Sequence, residues 1–150
     1  MRTRLVASAA AVLAVLGLTA SPASAAPVVL TANLTAAAVP TGGDPASSGF
    51  AYAVVDDAAN RICVVAVTTG GAPPTAAHIH QAPAGVIGPH AVDLNNPVNA
   101  GNRSVSSGCY TASEAVLDDI VANPSDYYVN IHSHPFPLGS VRGQLAPLAA

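Results

Sequence analysis

Beyond residue 25 only one stretch of this chain carries helical periodicity; the rest is cut by glycine and proline into short β-branched runs. In that stretch Thr111 and Glu114 have capping-box spacing, Val116, Leu117, Ile120 and Val121 recur at threes and fours, and Asn123-Pro124 closes the helix. Asp118 and Asp119 fall on its opposite side and are expected to be a solvated face. One helix cannot supply the crossovers of a parallel sheet. The other runs therefore pair antiparallel. Val28 to Val39 reads as an edge strand stopped by Pro40, and Phe50 to Val55 with Arg61 to Thr69 as a hairpin around Asp56 to Asn60. Ala76 to Gln81, His90 to Leu94, Asn102 to Tyr110, Tyr127 to His132 and Ser140 to Leu145 follow. Loops are expected at Thr41 to Ser48, Gly70 to Pro74, Pro83 to Pro89, Asn95 to Gly101 and Ser133 to Gly139. With 12 Gly and 13 Pro as punctuation, the class is mainly β: an antiparallel β-sandwich or small Greek-key barrel with one short helix.

The first 25 residues read differently. Arg2 and Arg4 precede an apolar run from Leu5 to Leu18, then Pro22 and Ala23-Ser24-Ala25, the layout of an export signal with an A-x-A cleavage site. The run of about 14 residues is short of the ~20 that span a bilayer, so no membrane span is expected. The organisation is a signal peptide over 1–25 and one β domain over 26–150, secreted to the extracellular space. Cleavage removes two of the 5 basic residues and none of the 8 acids, so the mature chain is more acidic than the −3 of the whole. It has no lysine. A chain without a basic stripe is no partner for nucleic acid or anionic membranes. Cys63 and Cys109 are the only cysteines. In an exported chain an intrachain disulfide is the natural reading, with a metal pair or two free thiols as alternatives.

All five histidines lie in the second half, and His78-x-His80 and His132-x-His134 have spacing two. On a strand such residues share a face, so two imidazoles can meet one ion and a neighbouring strand can add a third. Imidazole suits copper or zinc. His78, His80 and His132 are the candidate metal ligands, with His90 able to join from the Gly85 to Pro89 loop and His134 off to the side. The competing reading is structural: rings that pack and hydrogen-bond to loop carbonyls.

The segments A-H-I-H-Q-A-P-A-G-V-I-G-P at 77–89, N-P-S-D-Y-Y-V-N-I-H at 123–132 and G-S-V-R-G-Q-L at 139–145 resemble the signature blocks of CHRD domains, the module named from chordin. The resemblance covers nearly all of the mature chain, with His78, His80, Gly85, Gly88, Asn130, His132, Arg142, Gly143 and Gln144 at matching positions; His90 and His134 stand outside the pattern. It implies an extracellular module that binds an as yet unidentified protein or surface ligand. A weaker similarity links His78-x-His80, Gly88-Pro89-His90, His132 and Arg142 to the copper site of copper–zinc superoxide dismutases, although the zinc cluster of that enzyme does not follow and only Asp93 is nearby.

No G-x-S-x-G elbow, acidic pair or phosphate loop singles out a catalytic residue. Asn33-Leu34-Thr35 and Asn102-Arg103-Ser104 fit the glycosylation triplet. The leading expectation is thus a non-enzymatic extracellular binding module. The alternative is a secreted copper- or zinc-binding protein with redox activity in the manner of superoxide dismutase.

Overall fold

Alternation with period two decides the architecture. The computed structural model describes residues 26–149, and the expected signal segment lies outside them. In β1 (Val28–Thr35) Leu30, Ala32 and Leu34 are buried while Val29, Asn33 and Thr35 are exposed, as in a strand with one face on a core. The same alternation buries Ala51, Ala53 and Val55 of β2 (Ser48–Asp56) and Ile62, Val64 and Ala66 of β3 (Arg61–Thr69). The chain continues through β4 (Pro74–Gln81), β5 (His90–Asp93), β6 (Val98–Ala100), β7 (Arg103–Thr111), helix α1 (Glu114–Ala122), β8 (Tyr127–Ser133), β9 (Phe136–Gln144) and β10 (Ala146–Pro147).

All pairings are antiparallel, in the order β5-β4-β8-β9-β1-β2-β3-β7-β6, with β10 also on β1. The two halves join through the single registered pair Thr35↔Arg142 between β1 and β9. There the sheet curls, so that Leu30, Ala53 and Ile62 of one half share a core with Ile79, Val129, Ile131 and Val141 of the other and with Leu117 and Ile120 of α1. This is the expected mainly antiparallel β class with one helix. Cys63 and Cys109 stand opposite each other on β3 and β7 and are disulfide-bonded.

Several local expectations change. β1 is not an edge strand: it is paired on both sides and ends at Thr35, where a 3-10 turn over Ala36–Ala38 takes over. Part of the expected loop Asn95 to Gly101 is strand β6. The loop Ser133 to Gly139 is a tight turn, because Ser133 already pairs with Phe136. Asp119 is no idle surface group. It accepts hydrogen bonds from the Tyr127 hydroxyl (2.6 Å), Asn123 (2.8 Å) and Gln81 (3.0 Å), tying α1 to β8 and β4, and these bonds, the tyrosine's first, hold its carboxyl below the usual range.

The helix cap also moves. Thr111 belongs to the β7 ladder opposite Arg61, and Ser113 is the N-cap, its hydroxyl accepting from the Val116 N–H at 3.4 Å. Ser113→Ala is expected to lower stability by about 1 kcal/mol in urea unfolding, the usual value of a serine cap, whereas Thr111→Ala should leave the helix cap intact.

Candidate metal centre

The candidate ligands lie on the outer face of the curled sheet. On β4, Ala77 and Ile79 point into the core, so His78 and His80 point away from it; on β8, Tyr127, Val129 and Ile131 point inward, so Tyr128, Asn130 and His132 share the outer face. Strand register sets His80 opposite both Tyr128 and His90, and His78 opposite both Asn130 and Asp93. His132 pairs with Ala76, diagonal to His78. This brings the three imidazoles together: ring centroids are 4.8 Å apart for His78–His132, 5.6 Å for His78–His80 and 5.8 Å for His80–His132. One nitrogen from each lies within 4.8 Å of the others.

The expected fourth residue, His90, is not part of that compact group. Its ring stacks on His78 at 3.9 Å and meets His80 edge-on at 4.5 Å, over the triad rather than in it. Its side chain is 49% exposed. His78, His90 and Asp93 form a second, more exposed group. His134 is exposed in the β8–β9 turn, at the margin of a cavity of about 540 Å³ that His78, His90 and His132 also line.

Hydrogen bonds around the rings fix which nitrogen of each is available. The Nδ1 of His80 is 2.9 Å from the Gly88 carbonyl and that of His132 is 3.0 Å from the Pro137 carbonyl. A carbonyl only accepts, so each Nδ1 carries the proton and each Nε2 a lone pair. Asp93 does the same for His90 at 2.9 Å. Outer groups that orient imidazoles in this way are the usual second layer of metal sites. His78 Nδ1 faces His132 Nε2 at 3.0 Å, giving the proton that a metal ion would replace. His80 Nε2 is buried and has no hydrogen-bond partner among the described residues.

Burial holds the cluster neutral. It is the main cause that lowers the His78 pKa to about 4, aided by His90, His132 and His80 and opposed by Asp93. The pKa values of His80 and His132 also fall, chiefly through burial. Neutral imidazoles are what a metal ion needs, since protonation competes for the same lone pair.

A loop over residues 82–89 is fastened above this face from β9. Arg142 is 1% exposed and donates to the carbonyls of Val86 (2.7 Å) and Pro83 (2.8 Å) and to Gln144 Oε1 (2.8 Å). Gln144 donates to the Ala82 carbonyl (3.0 Å). Between them Gly143 passes so close to β1 that a side chain there would strike the Asn33 carbonyl. At the far end of the loop a Cβ on Gly88 would strike the Gln81 carbonyl, so only glycine brings its own carbonyl to His80. Tyr128, which the histidine pattern alone does not mark, stacks on His80 (4.9 Å, 8°), takes the Gly88 N–H on its hydroxyl and carries the Arg142 guanidinium 3.4 Å above its ring. It lies two pairs of residues before His132 on the same strand, so strand parity is the signal that places it on this face.

Compared with known families, residues 30–145 match the model of the CHRD domain. No curated protein and no solved structure matches the chain. The similarity to copper–zinc superoxide dismutases thus finds no support, and Arg142 lies beneath the loop instead of at the cavity.

Proposed function

Because this chain belongs to the CHRD-domain family, matched over residues 30–145, we propose that it is a secreted CHRD module that binds one copper or zinc ion through His78, His80 and His132. The observation that carries this reading is the buried, unpartnered Nε2 of His80 in a group of three rings that each bring a nitrogen within 4.8 Å of the others. An unsatisfied polar atom in such a place costs on the order of 1–3 kcal/mol, and a metal ion removes that cost. Tetrahedral Zn–N bonds of about 2.0–2.1 Å put ligand nitrogens roughly 3.3 Å apart, close to the 3.0 Å now separating His78 Nδ1 from His132 Nε2. His78 fits by moving its proton to Nε2, on the side of Asp93. His90 supplies a fourth nitrogen by turning its exposed ring, with Asp93 orienting it. Among divalent ions an all-imidazole set of this kind prefers copper.

The mature protein, loaded with Cu(II) or Zn(II) and dialysed, should retain one ion per chain by elemental analysis. His80→Ala should retain none while still unfolding cooperatively, at a midpoint lowered by loss of the ring packed on Tyr128 and bonded to Gly88. A parent that loses its metal on dialysis, or a variant that holds as much as the parent, would overturn the reading.

A second role as a binding module is favoured by a different surface. Phe50, Tyr52 and Val54 of β2 and Val65 of β3 are 42%, 46%, 38% and 45% exposed on the outer side of the other half of the sheet. Contiguous exposed apolar side chains of this kind mark interaction sites. A Tyr52→Asp, Val65→Asp double variant should abolish cross-linked adducts formed in the secreted medium and leave metal content unchanged; unchanged adducts would remove this face from consideration.

A further inference from the structure

Arg142 is a buried cation without a carboxylate. None of the ion pairs among the described residues involves it. Its charge is held by the carbonyls of Pro83 and Val86, by Gln144 and by the face of Tyr128. Burial lowers its pKa, but a guanidinium stays protonated in proteins. Two routes lead from it to His80. One is mechanical: Arg142 clamps the loop at Pro83 and Val86, the loop delivers the Gly88 carbonyl, and that carbonyl fixes the His80 Nδ1 proton. The other is electrostatic: guanidinium and imidazole both pack on the phenol ring, the charge 3.4 Å from the Tyr128 centroid and the His80 ring 4.9 Å from it on a nearly parallel plane.

We propose that Arg142 is a positioning residue for the metal centre and that its uncompensated charge biases bound copper toward Cu(I). The inference rests on the metal-binding reading above. All three ligands are neutral, so the couple Cu(II) + e⁻ → Cu(I) takes the site from two positive charges to one. A fixed positive charge in a poorly screened interior disfavours the more highly charged state. The opposing group is Asp93, 3.9 Å from His78 Nε2, but its side chain is 78% exposed and screened by water. Tyr128 and Gln144, the other groups against Arg142, are uncharged in this role. No bond is made to Arg142, and the electron comes from an external one-electron reductant such as ascorbate.

The test is redox titration of the copper-loaded mature protein, with two variants. The parent should have a copper potential above that of copper in excess free imidazole in the same buffer. Arg142→Gln, which removes the charge, should lower the Cu(I)/Cu(II) ratio at fixed poise about tenfold, equal to about 59 mV for one electron. Arg142→Lys keeps the charge but loses the planar fork; it should hold the ratio closer to the parent while copper affinity falls about 10- to 100-fold, as for other outer-layer groups. A parent that binds no copper overturns the metal reading and this inference together. Copper that is retained, but at a potential no higher than the imidazole complex or unmoved in Arg142→Gln, overturns this inference alone. Should Arg142→Gln fail to fold, the parent potential decides by itself.

Discussion

Acidifying the metal-free protein from pH 7 to pH 4 should cost it about 3 kcal/mol of stability through His78 alone. Its pKa is about 4 in the folded chain against 6.5 for an unperturbed histidine. Between those values the unfolded chain binds more protons than the folded one, so stability rises with pH inside this window and is lost as pH falls through it. Above pH 6.5 the histidine has no effect. A difference of about 2.5 units at 1.36 kcal/mol per unit gives the magnitude. The depressed values of His80 and His132 act in the same direction. Asp119, also depressed, adds its loss only at lower pH, as protons reach a carboxylate that three donors hold ionised. Urea unfolding in a strong chelator at pH 7, 5.5 and 4.5 measures this. His78→Gln should flatten the profile, since glutamine fills part of the space without titrating. A parent profile flat over the same range would show that the cluster is not held neutral.

Burial of the rings explains that acid sensitivity, and strand parity explains why the sequence marks them. Residues two apart on a strand share a face, so His78 with His80 followed from spacing alone. That His132 joins them depends on β8 pairing with β4, which the spacing of the histidines alone does not decide. His90 stands beside the three rings: β5 pairs with β4 across a register shift between Ile79 and His80, and its ring stacks on His78. The misread elements fail by the same route. The first strand looked like an edge because Pro40 follows it, but its inward leucines match an interior position, and Thr35 bridges the two halves of the sheet. Thr111 has the right spacing for a cap, yet its backbone is taken by the ladder to Arg61, so the cap passes to Ser113. Local signals named the residue types correctly; tertiary pairing decided which of them were free to act. Arg142 shows this most clearly. Nothing local in its sequence neighbourhood marks the carbonyls that hold it, which belong to a loop 56 and 59 residues away.

Removing the disulfide should lower stability by about 4 kcal/mol, the larger of the two effects, while leaving the fold and the histidine cluster in place. Cys63 and Cys109 are register partners on adjacent strands and enclose a 46-residue separation. Closing a loop of that length in the unfolded chain removes entropy worth about 4 kcal/mol on the chain-entropy model, a large share of the 5–15 kcal/mol that stabilises most domains. In the folded state the bond adds little, because β3 and β7 are paired over nine residues from Arg61↔Thr111 to Thr69↔Arg103 whether or not the sulfurs are joined. The effect therefore lies mostly in the unfolded state. The enclosed segment carries β4 and β5, hence His78, His80 and His90, whereas His132 lies outside it on β8. The cross-link thus shortens the search that brings the histidines of one segment to the strand of the other. A Cys63→Ser, Cys109→Ser double variant avoids a free thiol and isolates the effect. With a urea slope of about 2 kcal/mol/M, its unfolding midpoint should fall by roughly 2 M, with a slope no smaller than the parent's because the unfolded chain without the cross-link is more expanded, and its metal content should equal that of the parent. A fall of less than about 0.5 M would mean that the unfolded chain already holds these two strands together. Loss of metal with an intact midpoint would mean instead that the disulfide shapes the native β4–β8 face, which its place on the opposite half of the sheet argues against.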